Sequence, residues 1–137
     1  PGSVTAEVEG LAREHSLDGV IFEDEYMLLD PGRAREIFRL MAGLGLRLHA
    51  RGLCAGLLDR ETVGLMAAAG FETVWIRQGS GYGREERGAE LRAVIRDVRL
   101  LLDAGLEAGV SFTLGVPGDT EAEVRETVEC ARKLKEM

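Results

Sequence analysis

Apolar residues along the chain alternate between two periods. Val4, Val8, Leu11 and Ala12 recur at helical spacing, so Thr5 to Ser16 is predicted as an amphipathic helix. Asp18-Gly19 breaks it, and Gly19-Val-Ile-Phe-Glu23 reads as a short buried strand. Asp30-Pro31 starts a second helix, whose apolar face is Ala34, Ile37, Phe38, Met41 and Leu44 and whose stop is Gly45. Leu46 to Ala50 alternates as a second strand. Arg51 to Leu58 then reads as a loop, and Asp59 caps a third helix carrying Val63, Met66, Ala67 and Ala69. Thr73-Val-Trp-Ile-Arg77 is a third strand. Gly79 to Gly83 forms a loop before the longest helix, Arg84 to Asp103. Val110 to Leu114 is a fourth strand, turned by Gly115-Val-Pro-Gly118 into a last helix from Glu121. There Thr120-x-x-Glu123 has capping-box spacing and Val124, Val128, Ala131 and Leu134 point inward.

The order α-β-α-β-α-β-α-β-α, with helix stops repeating as Leu44-Gly45, Ala69-Gly70 and Ala104-Gly105, predicts an α/β fold with four parallel strands. A partial (βα) barrel of the TIM type accounts for it, and a flavodoxin-like open sheet is the alternative. Residues 1–3, Pro-Gly-Ser, look like a tag remnant, leaving 4–137 as one domain. The composition is that of an ordinary globular chain. A net charge of −7 argues against nucleic acid and anionic membranes as partners. The absence of any run of transmembrane length and the two separated cysteines, Cys54 and Cys130, point to a cytoplasmic protein with free thiols.

Parallel strands gather their carboxyl ends on one side. The loops there bring Glu23, Asp24, Glu25 and Tyr26; His49, Arg51 and Cys54; Arg77, Gln78, Ser80 and Tyr82; and Pro117 to Thr120. The acids suit a hard cation or a solvated loop. Arg51 suits a carboxylate or phosphate, or a salt bridge to Asp24 or Glu25. His49 suits acid–base work or a structural hydrogen bond. Gly79-x-Gly81-x-Gly83 lacks dinucleotide-binding spacing, and Gly115 to Thr120 lacks the P-loop lysine. No catalytic triad and no clustered metal-ligating set is visible, so no catalytic or metal residue is assigned.

These rim segments together resemble the radical S-adenosylmethionine (SAM) enzymes, in particular the cobalamin-binding type. The resemblance is carried by Val20-Ile-Phe-Glu-Asp-Glu-Tyr26, Asp30 to Ile37, Leu48-His-Ala-Arg51, Leu58 to Phe71, Val74-Trp-Ile-Arg-Gln-Gly-Ser-Gly81 and Ala104 through Gly115-Val-Pro-Gly-Asp-Thr120. It implies that Asp24 and Glu25 hold the SAM amino group, that Ser80 contacts SAM, and that Val116, Pro117 and Gly118 lie by the adenine. Arg51 joins them as a cofactor-binding candidate. The Cys-x-x-x-Cys-x-x-Cys loop that holds the family's [4Fe–4S] cluster is absent, as are the strand before it and the sixth strand, and Gly79 stands where the family has Glu. The resemblance therefore implies the middle of a barrel. One reading is a fragment of a parent enzyme, inactive alone, with the cluster, any cobalamin and the small-molecule substrate belonging to the parent. The other is a stand-alone relative, either a non-catalytic SAM- or nucleotide-binding module or a half-barrel that self-associates or domain-swaps through its open sheet edges.

Overall fold

A computed structural model describes residues 1–78 and 84–137, and of residues 84–86 the backbone only. The elements are α1 (Gly2–His15), β1 (Gly19–Phe22), α2 (Pro31–Met41), β2 (Arg47–Cys54), α3 (Arg60–Ala69), β3 (Phe71–Arg77), α4 (Arg84–Asp103), β4 (Glu107–Ser111) and α5 (Glu121–Lys135). All strand pairs are parallel, and the strands stand in the sheet in chain order, β1-β2-β3-β4. That order excludes the flavodoxin-like alternative, whose second strand lies outside the first.

Parallel neighbours joined by right-handed crossovers put every crossover helix on the same face of the sheet. The helices accordingly touch in chain order, α1 on α2, α2 on α3, α3 on α4 and α4 on α5. The sheet positions facing them are all apolar: Val20 and Phe22, Leu48, Ala50 and Leu53, Val74 and Ile76, Ala108 and Val110 belong to or pack on the core. Phe71 ties three elements together, stacking on Phe22 of β1 (6.0 Å between centroids) and meeting Phe38 of α2 edge-on (5.2 Å).

Several element bounds differ from those the sequence predicts. α1 begins at Gly2, so two of the three residues read as a tag remnant form its first turn. β2 runs on to Cys54 through a bulge: Ala50 pairs with Val74, yet Leu53 pairs with Ile76, one residue more on β2 than on β3. Gly52 sits there at φ 82°, a conformation that favours glycine. β4 spans Glu107–Ser111 rather than Val110 to Leu114. Its neighbour dictates this, because among the described residues β3 pairs with it from Thr73, opposite Glu107, to Arg77, opposite Ser111. In α5 the buried residues are Thr127 and Cys130, while Val128 is 36% exposed. The helix lies against α4, with Cys130 Sγ near the Leu91 carbonyl oxygen (3.9 Å), and Leu134 packs on the core.

Candidate functional site

The carboxyl ends of the strands carry a network of charged side chains. After β1, Asp24 folds back on its own turn, its Oδ1 accepting the Tyr26 N–H (2.9 Å). Met27 and Leu28, both buried, anchor that loop. Glu25 is thereby held over the β2 bulge, where its Cγ would lie 3.5 Å from a Cβ on Gly52 and its carbonyl accepts the Cys54 N–H (3.3 Å). Glu25 Oε2 pairs with Nη2 of Arg77 at 2.7 Å, and the same nitrogen lies 3.7 Å from Cys54 Sγ. Three successive strand ends thus meet in one half-buried cluster. Burial of Arg77 works against its charge, but the Glu25 carboxylate and the Cys54 sulfur hold its pKa above the ordinary arginine value.

Arg51 lies outside this cluster and pairs with Glu23 (3.1 Å), neither with Asp24 nor with Glu25. His49 is 3.9 Å from Glu72. Further along the rim, the Gln78 N–H donates to the Ser111 carbonyl (3.0 Å), joining the ends of β3 and β4. The Gly115–Gly118 turn is closed from both sides by Asp119, whose N–H donates to the Val116 carbonyl (2.9 Å) and whose Oδ2 accepts the Val116 N–H (3.0 Å). Asp119 Oδ1 is in turn clamped by Arg87 Nη2, with both side chains nearly buried. Val116 is half-buried, while Pro117 and Gly118 are exposed. Thr120 caps α5 in a capping box with Glu123.

Of the residues that the resemblance assigns to SAM, Glu25 stands in the three-strand cluster and Asp24 beside it, bound to its own turn. Val116, Pro117 and Gly118 form a separate turn after β4, which among the described residues is bonded to Asp119 and not to Glu25 or Arg51. Ser80 lies outside the described residues, as do the other positions from Gly79 to Gly83. Arg87 was not singled out from the sequence. Its signal is a cation in the first turn of a helix, where the dipole disfavours it and a carboxylate partner is to be looked for. Among the described residues, four buried side-chain atoms lack a hydrogen-bond partner: Arg77 Nε, Gln78 Oε1, Arg87 Nη1 and Glu90 Oε2. The first three belong to the rim, one end of which is therefore under-satisfied without a ligand or water. No group of three or more His, Cys, Asp or Glu among the described residues is placed to hold a metal ion.

The sheet face turned away from the helices is the other part of the site. Among the described residues no helix covers it. Ile21, His49, Arg51, Thr73 and Trp75 line a depression of about 190 Å³ on it. No helix of the described residues is long and apolar enough to cross a membrane. Comparison with models of known protein families and with curated proteins gives no match.

Proposed function

We propose that this chain is the central part of a (βα) barrel of the radical SAM type and supplies one wall of a SAM pocket. Chain-order parallel strands with all helices on one face support the barrel, since a singly wound sheet curls towards closure. The single observation that carries the cofactor reading is Glu25. The acid that the resemblance assigns to the SAM amino group stands at the mouth of the bare sheet face, paired with a cation on the third strand end.

The residues present fit the amino-acid end of SAM. Glu25 and Arg77 already form one carboxylate–cation pair, and a zwitterion's ammonium and carboxylate complement the two partners separately. Gln78 Oε1 and Arg77 Nε add an unpartnered acceptor and donor at the same strand end. Arg51, 60% exposed in its side chain, can exchange Glu23 for a ligand carboxylate. The turn at Val116, Pro117 and Gly118 offers an apolar ledge for adenine. SAM in such enzymes supplies a methyl group or a deoxyadenosyl radical. The residues of this chain bind and orient it.

The iron–sulfur cluster does not fit the residues present. Its two cysteines stand on β2 and α5, and Cys130 is buried, so thiolates for a cluster must come from other polypeptide. On this reading the chain binds SAM and does not cleave it, and the cluster, any cobalamin and the small substrate belong to the parent.

Isothermal titration with SAM tests the proposal. A saturable heat is expected, with affinity about tenfold weaker in Glu25→Gln, the order of one lost charge-assisted hydrogen bond. Absence of heat and of a thermal shift at millimolar SAM would overturn it. The rival closed dimer of half-barrels is less well supported. It would bury His49, Arg51, Thr73 and Glu107.

A further inference from the structure

The bare sheet face has a composition that a packed barrel interior does not. On the helix side every strand position is apolar. On the open side the register sets Ile21 beside His49 and His49 beside Thr73, then Thr73 beside Glu107 and Trp75 beside Gly109, with Arg77, Cys54 and Ser111 at the carboxyl end. The Thr73 hydroxyl donates to Glu107 Oε2 (3.2 Å). Barrel interiors that close dry are built from layers of branched aliphatic residues. A face carrying a histidine, arginines, a threonine and a glutamate has to stay wet or hold a ligand.

Two apolar groups interrupt that polarity, Ile21 at 50% and Trp75 at 44% exposure. Trp75 is fixed by its partner strand: a Cβ on Gly109 would lie no farther than 2.7 Å from Cδ2, Cε2 and Cε3 of the indole. The ring therefore lies flat across a residue that has no side chain, with one face against the backbone and the other towards solvent. That pairing makes a stacking platform. The 190 Å³ depression beside it is lined by Ile21, Thr73, His49 and Arg51, and the partners of the last three, Glu107, Glu72 and Glu23, stand at its margin, so an anion must displace Glu23 from Arg51 and Glu72 from His49. Pockets for drug-sized ligands hold roughly 300–1,000 Å³, so this one suits one or two fused rings and not a whole nucleoside cofactor.

We infer that the open sheet face is a binding site for a small planar aromatic carboxylate, stacked on Trp75 with its anionic group on Arg51 and His49. The ring exploits the outer face of the indole and the side of Ile21. Arg51 leaves an exposed pair with Glu23 that is worth little, and gains a bidentate partner. A second copy of the chain is the poorer occupant, since it would take the Arg51–Glu23 and His49–Glu72 pairs and the Thr73–Glu107 bond out of water, a desolvation that such pairs do not repay. The inference concerns the sheet face below the rim and needs no SAM; it shares Arg51 with the function proposed above but not the Glu25–Arg77 pair, so Glu25→Gln and Trp75→Leu tell the two apart.

Trp75 is the only tryptophan of the chain, so intrinsic fluorescence reads this site alone. The full chain is titrated with quinoline-2-carboxylate, with cyclohexanecarboxylate and uncharged quinoline as controls. The carboxylated ring is expected to quench the emission saturably. Both controls, and the carboxylated ring on Arg51→Gln, are expected to bind about tenfold more weakly or worse. Saturation-transfer NMR on Trp75→Leu, with its circular dichroism unchanged, is expected to show the signal lost. Linear quenching that is the same for Arg51→Gln, or equal binding of quinoline, would overturn the inference. So would a blue-shifted, quencher-resistant emission at concentrations where sedimentation gives a dimer, because a second copy would then own the face. SAM binding without aromatic quenching sinks this site and leaves the rim reading intact; the reverse result does the opposite.

Discussion

At the scale of single residues, the chain places several side chains where one atom decides the outcome. Gly109 is one. A methyl group there meets the flat of the Trp75 ring, so Gly109→Ala must lift the indole off the sheet or shift β4. Overpacking of this kind costs about 1–3 kcal/mol. The expected result is a lower midpoint in urea together with a changed tryptophan emission; an unchanged emission would mean that the ring does not lie over Gly109. Asp97 is another. It is fully buried on α4, where its Oδ2 accepts the Gly56 N–H (2.7 Å) and its Oδ1 takes Arg96 (2.6 Å), fastening the loop between β2 and α3. Burial pushes its carboxyl pKa above the ordinary value in spite of those bonds. A carboxyl with a raised folded pKa contributes stability below its unfolded value, about 3.9, and that contribution is lost as the pH rises through the folded pKa. Asp97→Asn keeps an acceptor for Gly56 and removes the ionisation. Its stability relative to the natural chain should therefore rise as the pH climbs from about 4 towards neutrality, read from urea melts at stepped pH. A flat difference would mean that Asp97 ionises without penalty.

At the scale of elements, the helix caps are the most legible features. Asp30, Asp59 and Thr120 each accept the N–H three residues on, from Arg33, Thr62 and Glu123, as their positions before apolar periodic segments imply. Asp59 also meets Arg35 of the preceding helix (2.5 Å). The Thr62 backbone bond, against a smaller opposing effect of burial and helped by the Thr62 hydroxyl and then the Arg35 charge, holds its carboxyl pKa low. Asp59→Ala should cost about 1 kcal/mol. A lowered folded pKa means that this stability is present above the unfolded value, about 3.9, and lost as the pH falls through the folded one, so variant and natural chain should converge in acid. Equal melting points at neutral pH would show that the cap is idle. Helix α4 is likewise read from periodicity with its observed bounds, because its ends are local events. What the sequence could not show is set by neighbours. β2 continues through Arg51 and Gly52 because β3 supplies Ile76 and Arg77 to pair with. β4 starts at Glu107 for the same reason, although Val110 to Leu114 is the more strand-like run. The site follows this division. Glu25 and the Gly115–Gly118 turn are visible as residues at strand ends, but their separation into two clusters is not, and Trp75 becomes a platform only through the register that puts Gly109 beside it.

At the scale of the whole molecule, stability should be graded from the middle of the sheet outwards. β2 and β3 are paired on both sides and carry the fully buried Leu48, Leu53, Val74 and Ile76. α1 buries only Val8 and touches α2; α5 buries Thr127 and Cys130 and touches α4. A helix with so little apolar burial gains little from docking. Native-state hydrogen exchange should find the β2 and β3 amides opening only with global unfolding, whereas α1 and α5 open at lower free energy without unfolding the sheet. An extended segment added in parallel at the β4 edge would seat under α5, against Phe112, Leu114 and Val128, which already line an apolar cleft of about 280 Å³ there. Protection of α5 should then rise towards that of β3 in any assembly that completes this edge, while α1 stays as it was unless the β1 edge is completed too. If α1 and β3 exchange at the same free energy in the isolated chain, the folded unit is already closed on itself. The sheet edges would then not be open for further strands, and the reading of the chain as the middle of a larger barrel would fail.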